Sequence, residues 1–296
     1  MKELVNAEPS VHVPKWKFTK RKIRFSVANL FLYGAITITL FILICTFFPR
    51  WIAPYSPTFM NSATTLSPPS MKHWFGTDYF GRDVFSLVVY GSRDSLLIGV
   101  VSVLIGGLLG GMVGALAGYL GGYVDLVLMR IIEILMTIPG ILLALAIAAA
   151  LGPSLFNIVF AVAASSIPGY ARVLRGQMIS IKKRQFIDAS RSIGTPKWRI
   201  FLWHILPNSW SPLLVMGTIG LGTAILLGSG LSFLGLGVIK AIPDWGALLS
   251  QGRSYLTVAW WICTFPGLAI TLFVLSINII GDKLRDTFDP KTSRTR

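Results

Sequence analysis

The stretch Phe186-Ile187-Asp188-Ala189-Ser190-Arg191-Ser192-Ile193-Gly194-Thr195-Pro196 lies in a basic, polar island of an otherwise apolar chain. The island covers residues 172–207 and ends in His204-Ile205-Leu206-Pro207. Apolar segments long enough to cross a bilayer flank it on both sides. A membrane protein that keeps so structured a loop in water is expected to use that loop to contact another molecule.

Part of this island, residues 182–207, is predicted to form two short helices with a sharp joint, and we call it the elbow. Its first half contains few helix breakers and has apolar side chains near helical spacing. Gly194 stands where a left-handed residue would end the first helix. Thr195 can cap the second helix, and Pro196 suits its first turn. Pro207 is expected to stop or kink that helix.

The composition is that of an integral membrane protein. Of the 296 residues, 53% are hydrophobic and 13% are charged, against about 25% charged residues in soluble domains. The mean hydropathy is +0.68. The longest polar stretch, residues 49–94, leaves no room for a sizeable soluble domain. We therefore predict an all-α, polytopic fold.

Six segments are long and apolar enough to form transmembrane helices. The predicted spans cover residues 25–48, 95–124, two stretches within 134–171 that are divided at Gly152-Pro153, about 210–232, and 254–281.

Lys and Arg residues are unevenly shared between the two sides of the predicted membrane. Residues 1–24 hold seven, the island eight, the tail from Gly281 five and Arg130 one, whereas the opposite loops hold six. The positive-inside rule then places both termini and the elbow in the cytoplasm. The predicted organisation is a cytoplasmic basic N-terminus (1–24), a first span (25–48), an extracytoplasmic loop (49–94), a core of five spans (95–281) that includes the cytoplasmic loop 172–207, and a cytoplasmic tail (282–296).

The net charge of +15 is distributed in short patches beside the spans. This placement favours contact with membrane lipid and argues against nucleic acid as a partner.

The second predicted span carries glycine at every fourth position, which leaves one helix face nearly bare. The positions are Gly106, Gly110, Gly114 and Gly118. Small residues let membrane helices approach closely. Packing within the subunit and packing against another subunit or a moving helix both fit this pattern. The fifth span is also glycine-rich and carries hydroxyl residues, a composition shared by packed helices and by helices that line a pathway.

No catalytic motif is present in the sequence. It contains no Gly-Lys dipeptide, no HExxH and no GxSxG, so we predict that the chain is not itself an enzyme and binds no nucleotide, metal or other cofactor. Asp125, Arg130 and Glu133 cluster near the start of the third span, and the last two have helical pairing spacing. Ionisable groups at membrane depth are otherwise nearly absent, which argues against a transporter driven by an ion gradient.

Three parts of the elbow resemble the cytoplasmic "EAA" loop of permease subunits from ATP-driven importers. The family pattern is Glu-Ala-Ala, three residues, Gly, nine residues, then Ile-x-Leu-Pro. Here it appears as Asp188-Ala189-Ser190, Gly194 and His204-Ile205-Leu206-Pro207. The spacing fits, with Asp in place of Glu, Ser in place of the second Ala, and His in place of Ile.

Further motifs resemble the oligopeptide/dipeptide/nickel family of ATP-binding-cassette (ABC) importers, and in particular the second, C-type, of its two permeases. Gly76-Thr77-Asp78-Tyr79-Phe80-Gly81-Arg82-Asp83 is similar to the signature that follows the first span in that family. Leu231-Ser232-Phe233-Leu234-Gly235-Leu236-Gly237, followed by Pro243-Asp244-Trp245-Gly246, is similar to the exit of its fifth span. Gly281-Asp282-Lys283-Leu284-Arg285-Asp286, with Asp289-Pro290, resembles its C-terminal ending. The resemblance covers about residues 25–290.

This resemblance implies the permease fold of a type I ABC importer, in a bacterial or archaeal plasma membrane. The implied partners are a second, homologous but non-identical permease, two ATP-binding subunits that hold ATP and Mg²⁺, and an extracytoplasmic solute-binding protein. The implied contact with the ATPases is made by Asp188, Ala189, Ser190, Gly194, Thr195, Pro196, Leu206 and Pro207. The implied cargo is a di- or oligopeptide. Import of nickel, a metal chelate or glutathione by the same machinery is an alternative, and ion-gradient-driven transport is a distant one.

Simpler interpretations stand beside these. The elbow could rest on anionic lipid through its basic residues. For the signature residues Gly76, Thr77, Asp78, Gly81, Arg82 and Asp83 we favour a structural role as a capped turn that leads into an interfacial helix; contact with the binding protein or the partner permease is the alternative. Trp245, Tyr255 and Trp260-Trp261 are expected to form an aromatic belt at the outer membrane interface.

Overall fold

The computed structural model describes residues 27–288. Within this range the chain is all-helical, as predicted, and its only extended pairing is one isolated bridge between Thr77 and Asp83. The frame consists of α1 (Val27–Phe47), α2 (Val84–Leu120), α3 (Gly122–Met136), α4 (Gly140–Leu151), α5 (Leu155–Lys182), α6 (Gln185–Ser192), α7 (Trp210–Leu231), α8 (Trp245–Gly252) and α9 (Trp261–Phe288). Shorter helical turns lie at Pro49–Ile52, Ser62–Thr64, Lys197–Arg199, Ile200–Ile205, Leu206–Asn208, Ser232–Leu236 and Arg253–Tyr255.

Five of these helices are long and apolar enough to cross a membrane: α1, α2, α5, α7 with the turn that follows it, and α9. The pair α3 and α4 passes the same test together but is bent by 88° at the break around Pro139. The predicted six spans are present when this bent pair is taken as one broken span.

The boundaries of several spans differ from prediction, and two spans begin earlier because polar residues near their ends are accommodated inside helices. The second span begins at Val84 rather than at residue 95, since the Asp83 carboxylate caps it by accepting a hydrogen bond from the Ser86 N–H at 2.8 Å. The third begins at Gly122 rather than at residue 134, and carries its charged residues on the helix surface. The sixth begins at Trp261 rather than at residue 254.

The glycine ladder of α2 lies against α5 of the same chain. A Cβ atom at Gly110 would stand 2.5 Å from the carbonyl oxygen of Ile167, and one at Gly118 would stand 2.7 Å from Cβ of Met178. Gly106 and Gly114 face α5 in the same way. Because residue numbers rise together on both helices at these contacts, α2 and α5 run parallel. The bare face of α2 thus forms a close backbone-to-backbone contact within the subunit.

Two segments, residues 53–83 and 237–261, cover the end of the helix bundle opposite the elbow, and we call them the cap; the second contains α8 and the first residue of α9. Trp245 and Trp261 are buried there, with relative exposures of 1% and 5%. The Trp245 indole N–H donates to the Val88 carbonyl at 2.8 Å, and that of Trp261 to the Thr77 carbonyl at 3.0 Å. The expectation of an interfacial belt is therefore wrong for these two residues, because both indoles have buried carbonyl partners; Trp260 remains half exposed.

Candidate functional site

The elbow is fastened to the end of α2 by a lysine at the end of α5. The Lys182 ammonium donates to the carbonyl of Tyr119 at 2.7 Å and to that of Gly118 at 3.3 Å. These carbonyls lie in the last turn of α2, where no intrahelical donor follows. Lys182 thus ends α5 instead of beginning the elbow helix, which starts at Gln185.

A single buried residue seats the first elbow helix. Ile187 is completely buried, and it is the only buried residue of α6. It belongs to an apolar cluster with Met178 and Ile181 of α5 and with Ile200 and Ile205 of the second elbow segment. The two halves of the elbow therefore share one hydrophobic seat with the end of α5.

The joint of the elbow is a glycine-dependent helix ending. Gly194 has φ +80°, in the left-handed region, as the sequence predicted. Its N–H donates to the carbonyl of Arg191 at 3.0 Å, and the Thr195 N–H donates to the carbonyl of Ser190 at 3.2 Å. This pair of bonds is the Schellman motif, which satisfies helix-terminal carbonyls and fixes the exit direction of the chain.

After the joint, the predicted Thr195 cap is wrong, and of the two expectations for Pro207, a stop or a kink, the structure excludes the stop. Thr195 does not cap the second elbow segment: Pro196 holds that position, and no side chain makes a cap hydrogen bond. The helical path also continues past Pro207 into α7, through a wider π-type stretch at Ile200–Ile205. A proline lacks an N–H and crowds the carbonyl four residues earlier, and a π-type turn relieves that conflict without ending the helix.

The outer surface of the elbow combines one acidic residue with large apolar side chains. The Asp188 side chain is 64% exposed and has Arg191 as its ion-pair partner at 3.3 Å. Ile193, Trp203 and Trp198 are 83%, 71% and 58% exposed. Of the remaining residues predicted to act in coupling, Ala189, Gly194, Pro196 and Pro207 are exposed, and Ser190, Thr195 and Leu206 are half-buried.

Tyr119 joins α2 to the second half of the elbow, and the sequence analysis missed it. Its hydroxyl donates to the carbonyl of Lys197 at 2.6 Å, and its ring lies 4.6 Å from that of Phe201. A tyrosine near the end of an apolar span is the one signal that could have drawn attention to it.

Asp125 and Arg175 form a second connection that the sequence analysis missed. The Arg175 guanidinium donates two bonds to the Asp125 carboxylate, at 2.5 and 2.6 Å, and so ties α3 to α5. Arg130 and Glu133 lie 3.5 Å apart, as their spacing predicted, but Asp125 is paired across to another helix. Bidentate pairing of this kind fixes geometry as well as charge.

The signature residues lie in the cap, where Asp78 and Arg82 form a buried ion pair. An Asp78 carboxylate oxygen lies 2.7 Å from a terminal guanidinium nitrogen of Arg82, with both side chains at most 4% exposed. Arg82 also donates to the carbonyl of Ala241 at 2.9 Å, which joins the two cap segments. The other carboxylate oxygen of Asp78 accepts hydrogen bonds from the backbone N–H groups of Phe80 and Arg82.

The other signature residues complete this cap. Thr77 is buried; its hydroxyl donates to the carbonyl of Thr64 and accepts from the Ser67 N–H. Gly76 and Gly81 have φ values of +70° and +72°, and a Cβ atom at Gly81 would overlap the carbonyl of Asn61. Asp83 caps α2. All six signature residues therefore contact the chain's own cap.

The motif after the fifth span inserts a buried carboxylate between α2 and α7. Asp244 accepts from the Ala247 N–H and from the Ser232 hydroxyl, both at 2.8 Å. Burial raises the pKa of Asp244 above its usual value, and the hydrogen bonds from the Ala247 N–H and the Ser232 hydroxyl partly oppose this rise. The neighbouring Trp245 N–H donates to the hydroxyl of Ser95 at 3.0 Å.

A groove of about 460 Å³ lies at the middle of the bundle, between α2, the break of the α3–α4 span, α5 and α7. Its lining is apolar apart from a few hydroxyl residues and contains no charged side chain. The hydroxyl residues are Ser165, Ser166, Tyr170 and Thr223. The groove, the elbow and the cap thus occupy three different levels of one helical frame.

Comparison with known proteins links this arrangement to one family. Residues 110–294 match the family described as "Binding-protein-dependent transport system inner membrane component". The chain is 44% identical over 258 residues to the Escherichia coli (strain K12) protein described as the probable D,D-dipeptide transport system permease DdpC, covering 87% of this chain and 86% of that protein. It is 42% identical over 299 residues to the dipeptide transport system permease DppC of Alkalihalophilus pseudofirmus, covering 98% and 97%. It is 43% identical over 269 residues to the glutathione transport system permease GsiD of Escherichia coli O6:K15:H31, covering 90% and 88%.

Proposed function

This chain belongs to the family of binding-protein-dependent transport system inner membrane components, and from that premise we propose that it forms half of a pathway for short peptides and couples this pathway to ATP hydrolysis through its elbow. It is a permease subunit of a bacterial ABC importer, a multi-pass protein of the inner membrane, and the ATPase activity belongs to other subunits.

The proposed assembly has four further members. They are a second, non-identical permease, two ATP-binding subunits that hold ATP and Mg²⁺, and an extracytoplasmic binding protein. The family description supports the last of these, because it names transport that depends on a binding protein. We place the elbow and both termini in the cytoplasm, because Lys and Arg are concentrated in these segments.

One observation carries the coupling proposal: the elbow is anchored to the spans by a buried side chain and exposes large apolar side chains on its outer surface. Ile187 is completely buried against the ends of the spans, whereas Ile193 and Trp203 are 83% and 71% exposed. Rigid seating allows a displacement of the elbow to reach α5 directly. Exposed large apolar side chains next to an exposed carboxylate form a surface suited to a protein groove. A lipid-resting loop would not require the glycine joint.

The mechanism follows from this seating. Closure of the two ATPases on ATP would move the elbow, and the paired helices α2 and α5 would move with it because Lys182 and Ile187 join them to the elbow. A partner shifts an equilibrium only when it binds the two states with different affinity. The ATPases must therefore hold the elbow more tightly in one orientation of the spans than in the other.

Short peptides are the proposed cargo. DdpC and DppC are named for dipeptide transport and GsiD for glutathione transport, and the identities are similar for all three. The uncharged groove fits peptides better than metal ions, which take charged or imidazole ligands. Glutathione is the second candidate, and nickel or a metal chelate is the third.

The test is the number of peptides imported per ATP hydrolysed by the complete importer in vesicles. Gly194→Val forces a β-branched residue into a left-handed conformation, at a strain of about 1–2 kcal/mol, with no side chain nearby to clash. The matched control is Gly176→Val, because Gly176 also has open space around it but an ordinary helical φ. We expect Gly194→Val to assemble normally and to lower the import-to-hydrolysis ratio about ten-fold, the equivalent of that strain. Normal import by this variant would contradict the coupling role.

A further inference from the structure

Tyr170 presents an unsatisfied hydroxyl at the groove in the middle of the bundle. The residue is 3% exposed, and its hydroxyl is buried without a hydrogen-bond partner among the described residues 27–288. A buried, unpaired hydroxyl costs about 1–3 kcal/mol, so such groups normally find a partner within the protein. The absence of one here calls for an explanation.

The surroundings of Tyr170 leave room for its hydroxyl. A Cβ atom at Gly220 would stand 2.5 Å from the Tyr170 hydroxyl oxygen, and the ring lies 3.7 Å from the position of a Cβ at Gly107. Glycines on α2 and α7 thus form a slot around the tyrosine. Both Tyr170 and Gly220 line the groove, so the unpaired hydroxyl lies within the groove wall, buried against Gly220.

Other polar groups of the groove are of the same uncharged kind. Thr223 is exposed on α7, and Ser165 and Ser166 are half-buried on α5. Pro168, also in the wall, lacks the N–H that would serve the carbonyl of Ala164 in a regular helix. Hydroxyls among apolar side chains fit a ligand that offers amide donors and acceptors without requiring a counter-charge.

We propose that this groove is a transient site for the amide backbone of the cargo, with the Tyr170 hydroxyl as one of its hydrogen-bonding groups. The proposal rests on the proposed function, because it presumes that peptides cross between the spans. A neutral site is suited to a passing cargo, which must bind well enough to enter and weakly enough to leave. It also accepts peptides whose side chains differ, since the amide backbone is common to all of them.

The first experiment removes the hydroxyl alone. In the complete importer in vesicles, supplied with radiolabelled trialanine, Tyr170→Phe should lower the rate of import about two- to ten-fold, the worth of one hydrogen bond. If the hydroxyl does not bind cargo, Tyr170→Phe should import trialanine as fast as the wild type. Removal of an unpaired buried hydroxyl leaves the stability of the protein unchanged or raises it, so a slower rate would not come from unfolding. The control is Tyr33→Phe, on a tyrosine that is 56% exposed on α1.

The second experiment asks whether cargo occupies the groove. Thr223→Cys places a thiol in the groove, and Leu226→Cys places one on the same helix, 51% exposed and outside the groove. With Cys45 and Cys263 replaced by alanine, import of trialanine should slow the labelling of Cys at 223 by a small thiol reagent and leave Cys at 226 unaffected. Equal labelling at 223 with and without import, together with undiminished import by Tyr170→Phe, would overturn the proposal.

Failure of the proposed peptide cargo and failure of the groove assignment give different results. If the wild-type importer takes up no trialanine but takes up nickel or glutathione, the proposed peptide cargo is wrong. If it takes up trialanine and neither variant responds, only the assignment of the groove is wrong.

Discussion

The Tyr119 hydroxyl donates a 2.6 Å hydrogen bond to the carbonyl of Lys197, and this bond joins the end of α2 to the second half of the elbow. Lys182 adds a second connection, from the end of α5 to the carbonyl of Tyr119 itself. The Tyr119–Lys197 pair therefore lies where a movement of the elbow would be transmitted to α2 and α5, the two parallel helices at the centre of the subunit.

Tyr119→Phe should weaken coupling without unfolding the protein. The change removes one hydrogen bond, worth about 0.5–1.5 kcal/mol, and leaves the ring against Phe201. We expect less peptide imported per ATP, measured in vesicles. Tyr123→Phe is the control, because Tyr123 is 87% exposed in the first turn of α3. An unchanged ratio in Tyr119→Phe would show that the bond carries no coupling.

Gly114→Ala should destabilise the contact of α2 with α5. A Cβ atom at Gly114 would overlap the carbonyl of Ala171, whereas one at Gly111 would make an ordinary 3.6 Å contact with Leu174. Overpacking of this kind costs about 1–3 kcal/mol. Thermal unfolding of the purified importer should show a lower midpoint for Gly114→Ala than for Gly111→Ala, and equal midpoints would refute the close contact.

Arg82→Gln should destabilise the cap. It leaves the Asp78 carboxylate buried without its partner and removes the bond to Ala241, and loss of one member of a buried ion pair costs about 3–5 kcal/mol. Limited proteolysis should then cut the segment 237–243 sooner. The double variant Asp78→Asn/Arg82→Gln should recover much of the loss, since neither charge of this pair remains. Lys72→Gln, on an exposed residue of the same cap, is the control.

The stability of the Asp244→Asn variant relative to the wild type should increase as pH rises. Burial raises the pKa of Asp244 in the folded protein above the ordinary 3.8, so the folded state binds the proton more tightly than the unfolded state. The resulting stabilisation is complete below the ordinary pKa and is lost as pH rises through the raised one. The asparagine retains an acceptor for the Ala247 N–H. The unfolding midpoint of the wild type relative to Asp244→Asn should therefore fall as pH rises above the ordinary pKa of 3.8, and a difference that stays constant with pH would contradict the burial argument.

The sequence predicted the parts of the fold that depend on local patterns. Apolar length located the spans, and the position of Gly194 after a helical segment predicted its left-handed φ. What it could not predict depends on contacts between distant residues. Asp125 was grouped with its sequence neighbours Arg130 and Glu133, because its partner Arg175 lies 50 residues away. Trp245 and Trp261 have the composition of an interfacial belt, and only their pairing with Val88 and Thr77 shows that they are buried.

The site was predictable to a similar degree. The elbow residues were identified by their resemblance to the EAA loop, but their seat on Ile187 and the Tyr119 bond could not be predicted, since both depend on how three helix ends meet. The groove could not be predicted from the sequence either. It forms at the break in the α3–α4 span, and a continuous apolar stretch of sequence does not show where a helix bends.

The central claim, that the elbow contacts an ATPase, is tested most directly by cross-linking. Single cysteines at Ala189 and Ser192, in a chain with Cys45 and Cys263 replaced, should cross-link to an ATPase subunit within the complete importer, and the yield should change when ATP is added. Met71→Cys, 94% exposed in the cap, should give no such product. If both elbow cysteines instead react only with a lipid-bound reagent throughout the transport cycle and never cross-link to an ATPase, the account is contradicted.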